Sequence, residues 1–287
     1  MITPFKKDLS IDFPALRKLT DFLIDGGVDY LVVMGTTGEN PTLDEKEQRQ
    51  ILDAVLETNN KRKPIVFGMG GNSTAAMVDR MNSYDLTGVD AILTASPYYN
   101  KPNQAGIVAH YNVLADASSL PVILYNVPSR TGSNMTAETT LKLANHPNII
   151  AIKEASGNFT QCMDILKNRP EGFLVISGDD AITLPLMSCG MEGVISVIGN
   201  AFPTPFSRMV HAILEENWKE AGSLHCQLLD MMNTIFEDGS PGGIKVLMSE
   251  MGLCSPEVRM PLAQPSEAVK QKLLTQFGLF NRAIGHS

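Results

Sequence analysis

The sequence is poor in cysteine, histidine and positive charge. Only 4 of its 287 residues are cysteine and 5 are histidine, and 23 lysine and arginine residues stand against 31 aspartate and glutamate residues. Scattered cysteines without a C-x-x-C pair do not form a disulfide framework, and the histidines lack the spacing of metal ligands. A net charge of −8 argues against binding to nucleic acid. We therefore expect no disulfide, no metal and no nucleic-acid partner.

Long apolar runs are also missing. No stretch approaches the roughly 18 apolar residues of a membrane span, and the first eight residues lack the apolar core of a signal peptide. These absences predict a cytoplasmic protein without a membrane partner. Apolar residues still make up 44% of the chain, which is enough for a large buried core. Two domains or one large barrel fit this length.

Short apolar runs recur along the first two thirds of the chain at nearly regular intervals. The runs are 28–34, 64–68, 89–95, 120–126, 149–153, 173–178 and 193–198. Each run is continuous rather than alternating, as is typical of strands that are buried on both faces. Segments with helical periodicity separate the runs. Alternating strands and helices predict an α/β fold with a parallel sheet.

The architecture that best fits this pattern is a (β/α)8 TIM barrel, which typically takes about 250 residues. The competing architecture is an open doubly wound sheet, but the glycine-rich stretch 68–72 lacks the third glycine of a dinucleotide fingerprint. After residue 198 the strand pattern stops and helical patterns follow. We predict a catalytic barrel over 1–215 and a C-terminal helical part over 216–287.

Functional side chains of such barrels lie at the carboxyl ends of the strands. Lys153 ends an apolar run, and a buried, deprotonated amine is the nucleophile that forms a Schiff base with a carbonyl substrate. The alternative is a lysine that forms a salt bridge with an acid such as Glu154. Tyr125 ends the preceding run, where a phenol can transfer protons to a reacting carbonyl or simply fill the core.

Three further strand ends carry polar groups. Thr36 and Thr37 lie between two glycines, where backbone N–H groups and hydroxyls can bind a carboxylate or merely form a tight turn. Arg130 follows a Pro-Ser turn and can bind a carboxylate through two hydrogen bonds, although a surface arginine is commoner. Asp179 fits an N-cap better than a metal ligand. Lys245 lies on a predicted helix, and we interpret it as structural.

Five motifs occur together in a fixed order. They are GTTGE at 35–39, PYYNKP at 97–102, YNVPSRTG at 125–132, IKEASG at 152–157 and SGDD at 177–180. In this order the chain resembles the dihydrodipicolinate synthase family of pyruvate-dependent class I aldolases, from residue 3 to about residue 261. The resemblance implies a lyase of lysine and diaminopimelate biosynthesis. Such an enzyme condenses pyruvate with aspartate 4-semialdehyde, then closes a ring, and needs no cofactor.

The resemblance also implies a role for each candidate residue. Lys153 would form the Schiff base, while Tyr125, Thr36 and Tyr99 would relay protons, with Tyr99 reaching into the site of a neighbouring subunit. The remaining implied residues bind substrate: Thr37 the pyruvate carboxylate, Arg130 the carboxylate of the semialdehyde, and Gly178, Asp179 and Ile195 the pocket wall. Because Tyr99 would act across an interface, we expect a homotetramer built as a dimer of dimers.

Two other functions stay open. Sibling aldolases of keto-sugar acids, such as N-acetylneuraminate lyase, would share Lys153 and Tyr125, but Thr37 and the 129–132 run are similar to the synthase. A catalytically silent barrel that binds a keto acid is the other alternative, and the retained Lys153, Tyr125, Thr36 and Tyr99 argue against it.

The chain departs from the family pattern at two places. Only Met1 and Ile2 precede the Thr-Pro turn, too few for a strand of about five residues, and we expect a truncated first strand. In relatives regulated by lysine, imidazole and carboxylate groups line the allosteric cleft. Here the matching positions hold Glu45, Gln48 and Ala76, although Asn72 and Tyr98 are retained, so we predict weak or absent inhibition by lysine.

Overall fold

A computed structural model describes residues 1–283, and strands alternate with helices through its first two thirds. The strands are β1 Leu31–Val33, β2 Ile65–Gly68, β3 Ala91–Ala95, β4 Val122–Asn126, β5 Ile149–Glu154, β6 Leu174–Ser177 and β7 Gly193–Val194. Each strand lies within a predicted run or extends one residue beyond it. The strands that pair within residues 65–195 are all parallel, so the predicted α/β fold with a parallel sheet is confirmed.

The helices fill the segments between the strands and most of the chain after residue 202. They are α1 Phe13–Asp25, α2 Glu45–Asn59, α3 Thr74–Ser83, α4 Gln104–Ala117, α5 Pro128–Thr131, α6 Ala137–Leu143, α7 Phe159–Asn168, α8 Thr183–Ser188, α9 Pro203–Leu214, α10 Trp218–Thr234, α11 Gly242–Glu250 and α12 Glu267–Ala283. The predicted C-terminal helices are present, and residues 284–287 lie outside the described residues. No helix within residues 1–283 is both long and apolar enough to cross a membrane.

The chain forms two compact units, and residues 65–195 make one of them. In this unit β2 to β7 follow one another in the sheet in chain order. One row of register partners runs through Leu124, Ile152 and Val175, and all three side chains are fully buried. Burial on both faces explains why these strands read as continuous apolar runs. The helices after the strands begin with side-chain caps, for example Thr136, which accepts from the Thr139 N–H.

The other unit comprises residues 1–64 and 196–287 and contains β1, the long helices α1 and α2, and the C-terminal helices. Helix α2 begins with a reciprocal capping box between Asp44 and Glu47. The boundary at residue 215 stays a prediction. Before α1 the described residues contain one isolated antiparallel bridge, between Phe5 and Ile11, and the Met1 amine donates to the Val32 carbonyl at 2.7 Å. The truncation of a first strand also stays a prediction.

Candidate active site

Lys153 and Tyr125 form the centre of the candidate site. They occupy the same register position on the neighbouring strands β5 and β4, so their side chains leave the sheet on the same face. The Lys153 Nζ atom lies 4.4 Å from the centre of the Tyr125 ring. Both residues are buried, with exposed fractions of 8% and 7%. An amine and a phenol are thus held side by side, away from bulk water.

Among residues 1–283 the Lys153 amine has no hydrogen-bond or ion-pair partner, and it lies over the face of the Tyr125 ring. The predicted alternative, a salt bridge with Glu154, is wrong. Glu154 follows Lys153 on the strand, so its side chain points to the opposite face of the sheet. There its carboxylate accepts hydrogen bonds from Asn126 Nδ2 at 3.0 Å, Gln161 Nε2 at 3.1 Å and the Ser156 N–H at 2.7 Å. The amine is therefore available to a ligand.

Gly178 lies directly against the lysine side chain. A Cβ atom at Gly178 would be 2.9 Å from Lys153 Cε and 2.6 Å from the Ala155 Cβ, closer than side-chain carbons approach. Only glycine lets the backbone after β6 pass the lysine stem at this distance. The strand ends are fixed here by the Gly178 N–H, which donates to the Glu154 carbonyl at 2.8 Å. Gly178 therefore helps to set the position of Lys153.

Asp179 and Ile195 also follow the strands β6 and β7. The Asp179 carboxylate accepts from the Ala181 N–H at 3.2 Å and caps the short helical turn Asp180–Ile182, as the sequence predicts. Ile195 is buried, and its N–H donates to the Ser177 carbonyl at 2.9 Å. Within residues 1–283 no group of three histidine, cysteine or acidic side chains is arranged to hold a metal ion.

Arg130 and Tyr99 are exposed in the same unit. Arg130 lies on the four-residue helix α5, directly after β4, and its guanidinium forms no ion pair with residues 1–283. Tyr99 is 87% exposed, and its backbone has a φ of +70°, a left-handed conformation that costs a tyrosine about 1–3 kcal/mol. The side chain of Tyr99 thus lies in solvent, and its backbone is strained.

Thr36 and Thr37 belong to the other compact unit, where they form the helical turn Thr36–Gly38 after β1. Thr36 is exposed and Thr37 half-buried, and neither hydroxyl has a hydrogen-bond partner among residues 1–283. The turn ends at Glu39, whose N–H donates to the Thr36 carbonyl at 3.1 Å. Both hydroxyls are free to bind a ligand.

Comparisons with a family model, with related sequences and with solved structures agree on one family. The family model "Dihydrodipicolinate synthetase family" matches residues 1–277. The chain belongs to this family. The 4-hydroxy-tetrahydrodipicolinate synthase of Parabacteroides distasonis is 50% identical over 95% of this chain and 92% of that protein. The synthase of Phocaeicola vulgatus is 52% identical over 91% of this chain and 89% of that protein.

A solved structure extends the comparison to three dimensions. The chloride-inhibited dihydrodipicolinate synthase of Acinetobacter baumannii, complexed with pyruvate, is 34% identical and matches with a TM-score of 0.95 over 98% of this chain and 97% of that one. The predicted barrel fold, the predicted family and the predicted activity, that of a lyase of the 4-hydroxy-tetrahydrodipicolinate synthase type, are confirmed. The roles of individual residues stay predictions.

A cluster of side-chain amides that the sequence did not predict binds the Glu154 carboxylate. Asn126 donates to both oxygens of Glu154, and its own Oδ1 accepts from the Met135 N–H at 2.9 Å. Gln161 donates to Glu154 and accepts from Asn134 Nδ2 at 2.8 Å. The cluster connects the two strand ends directly beside Tyr125 and Lys153. A signal was present, since Asn126 and Glu154 each follow a candidate catalytic residue, but amide pairing cannot be read from one sequence.

Proposed function

We propose that this family member condenses pyruvate with aspartate 4-semialdehyde through a Schiff base on Lys153. The observation that carries the proposal is the buried Lys153 amine, which has no ionic partner among residues 1–283 and lies 4.4 Å from the Tyr125 ring centre. A lysine amine that is not held in an ion pair is free to attack a carbonyl carbon. Pyruvate, the ligand named for the Acinetobacter baumannii structure, supplies the carbonyl.

In the first half-reaction, the Lys153 amine attacks C2 of pyruvate, and the carbinolamine loses water to give a protonated imine. Loss of a proton from C3 then gives an enamine, with the imine nitrogen as electron sink. Tyr125 is the proposed donor and acceptor of these protons because its phenol is held beside the amine. Thr36 and Tyr99 complete the proposed relay, and Thr37 binds the pyruvate carboxylate.

In the second half-reaction, C3 of the enamine attacks the aldehyde carbon of the semialdehyde, and a carbon–carbon bond forms. The amino group of the semialdehyde then attacks the imine carbon, closes the ring and expels the Lys153 amine. Arg130 is the proposed ligand of the semialdehyde carboxylate. Its exposed guanidinium has no ionic partner among residues 1–283, so a bound carboxylate would be its only counter-ion there. Gly178, Asp179 and Ile195 are the proposed pocket wall.

We also propose a homotetramer, a dimer of dimers, in the cytoplasm. The exposed, strained Tyr99 supports an interface, because a catalytic phenol that faces solvent in one protomer can serve the site of another. The four cysteines are free thiols, as expected in a reducing compartment.

The proposal is tested by reduction with borohydride in the presence of pyruvate, followed by peptide mass mapping. We expect a reduced pyruvate adduct on Lys153 in the wild-type protein. A Lys153→Arg variant keeps the charge but cannot form an imine, so its adduct and activity should disappear. Lys167→Arg, on the exposed end of α7, serves as the matched control and should behave as the wild type. Wild-type protein that is folded but gives no adduct would contradict the proposal.

A further inference from the structure

A second buried lysine lies in the unit formed by residues 1–64 and 196–287. Lys245 on α11 is fully buried, and its Nζ donates to Glu39 Oε1 at 2.5 Å and to the Glu257 carbonyl at 2.8 Å. Burial lowers the pKa of the Lys245 ammonium, and the facing Glu39 carboxylate opposes that shift. Unlike Lys153, Lys245 is fully engaged and is not available to a substrate.

Arg259 holds the other oxygen of the same carboxylate. The Arg259 N–H donates to Glu39 Oε2 at 2.9 Å. Its guanidinium forms two 2.6 Å hydrogen bonds with Glu47 and donates to the Thr42 carbonyl at 3.1 Å. The Phe5 ring packs against both cations, 4.3 Å from Lys245 Nζ and 4.5 Å from Arg259 Cζ. Both oxygens of Glu39 are therefore fixed by groups more than 200 residues away in sequence.

Glu39 lies between two short helical turns in the loop that carries Thr36 and Thr37. It ends the turn Thr36–Gly38 and begins the turn Asn40–Thr42. Its backbone has a φ of +57°, which disfavours a side chain such as glutamate unless the surroundings hold it in place. Backbone hydrogen bonds connect Glu39 to both turns. The Glu39 N–H donates to the Thr36 carbonyl, and the Glu39 carbonyl accepts from the Thr42 N–H.

We propose that Lys245 and Arg259 are positioning residues that act through Glu39 and hold the two threonine hydroxyls in place for pyruvate. The inference rests on the proposed function of Thr36 and Thr37. A buried ion pair contributes little to net stability, because desolvation offsets most of the attraction between the charges. A carboxylate held by one buried ammonium and one backbone N–H, on a residue with a strained backbone, is better explained as a fixed geometry for the loop than as a source of stability.

The test uses the double variant Glu39→Gln/Lys245→Met in the full-length protein. Removing both charges leaves no unpaired buried ion, so the double variant should fold even if Lys245→Met alone does not. We expect the KM for pyruvate to rise roughly tenfold and kcat to fall by a similar factor, because misplaced side chains lose catalytic power steeply. Melting temperature is measured in parallel.

A matched control separates positioning from stability. Leu228→Ala truncates a fully buried side chain on α10, so it should lower the melting temperature, and it changes none of the residues Glu39, Lys245 and Arg259. Below its melting temperature this control should keep the wild-type KM for pyruvate. A wild-type KM and kcat in the double variant, or an equal rise of KM in the control, would overturn the inference. A different result would contradict the proposed function itself, namely the absence of a borohydride adduct on wild-type Lys153.

Discussion

Tyr125 and Lys153 are register partners on adjacent parallel strands, with the lysine nitrogen 4.4 Å from the centre of the tyrosine ring. Backbone hydrogen bonds set this pairing, and the residues that follow, Asn126 and Glu154, are joined by a hydrogen bond of 3.0 Å on the other face of the sheet. The geometry of the two proposed reacting groups is thus fixed by the sheet itself.

This arrangement predicts that the Tyr125 hydroxyl affects chemistry more than folding. In Tyr125→Phe the ring stays beside the amine but the proton carrier is lost, so kcat should fall by about 100- to 10,000-fold. Steady-state kinetics measure the loss. Tyr111→Phe is the control, since it removes a buried hydroxyl that donates to the Thr94 carbonyl at 3.0 Å and plays no proposed part in catalysis. Similar kcat values for the two variants would contradict the relay.

Arg130 should determine affinity for the acceptor aldehyde and not for pyruvate. Loss of a charged hydrogen bond costs about 1.5–3 kcal/mol, so Arg130→Ala should raise the KM for aspartate 4-semialdehyde by roughly 10- to 150-fold. Borohydride trapping of pyruvate should stay unchanged. Arg208→Ala, an exposed arginine paired with Glu220, is the control. A rise in the KM for pyruvate alone would show that Arg130 binds pyruvate instead of the semialdehyde, and would contradict the prediction.

Local patterns predicted most of the fold, while side-chain pairing needed the structure. Continuous apolar runs located each strand because strands buried on both faces leave this local trace. The end of a run also identified Lys153. The partners of Glu39 could not be predicted, since Lys245 lies 206 residues away and only the folded chain brings the two charges together. For the same reason, the sequence left open whether Lys153 was paired with Glu154.

The exposure of Tyr99 predicts that two inactive variants regain activity when their subunits are mixed. If the phenol serves a neighbouring site, Lys153→Arg subunits mixed with Tyr99→Phe subunits should form hybrids that contain one intact site. Refolding an equal mixture should recover about a quarter of the wild-type activity, because half of the pairs are hybrids with one working site of two. Activity no higher than the sum of the separate variants would contradict an action across the interface.

Feedback by lysine should be weak in this chain. Gln48 is buried and donates to Asn40 Oδ1 at 2.8 Å and to the Leu43 carbonyl at 3.0 Å, so its amide is occupied within its own unit. Ala76 is exposed and offers no charge to a lysine ammonium. Titration with lysine should leave the wild-type rate nearly unchanged at millimolar concentration. An Ala76→Glu variant should be more sensitive, and strong wild-type inhibition below a millimolar would overturn the prediction.

His110 on α4 predicts that stability falls in mild acid. The histidine is 5% exposed, its Nδ1 lies 2.8 Å from Thr74 Oγ1, and its Nε2 has no partner among residues 1–283. Burial lowers the pKa of His110 from 6.5 to about 4. Between these values the unfolded chain binds a proton that the folded chain does not, so the free energy of unfolding falls as the pH drops from 6.5 towards 4.

The loss from His110 alone should reach about 2 kcal/mol at pH 5 and about 3 kcal/mol near pH 4, and should be absent above pH 7. Urea unfolding of the wild type and of His110→Gln, at equal protomer concentration and at pH 7.5 and 5, measures it. Burial also lowers the pKa of His225, which acts in the same direction but is present in both proteins and cancels in the difference. The variant should lose less stability than the wild type on acidification, and an equal loss in both would show that His110 does not stay neutral in the fold.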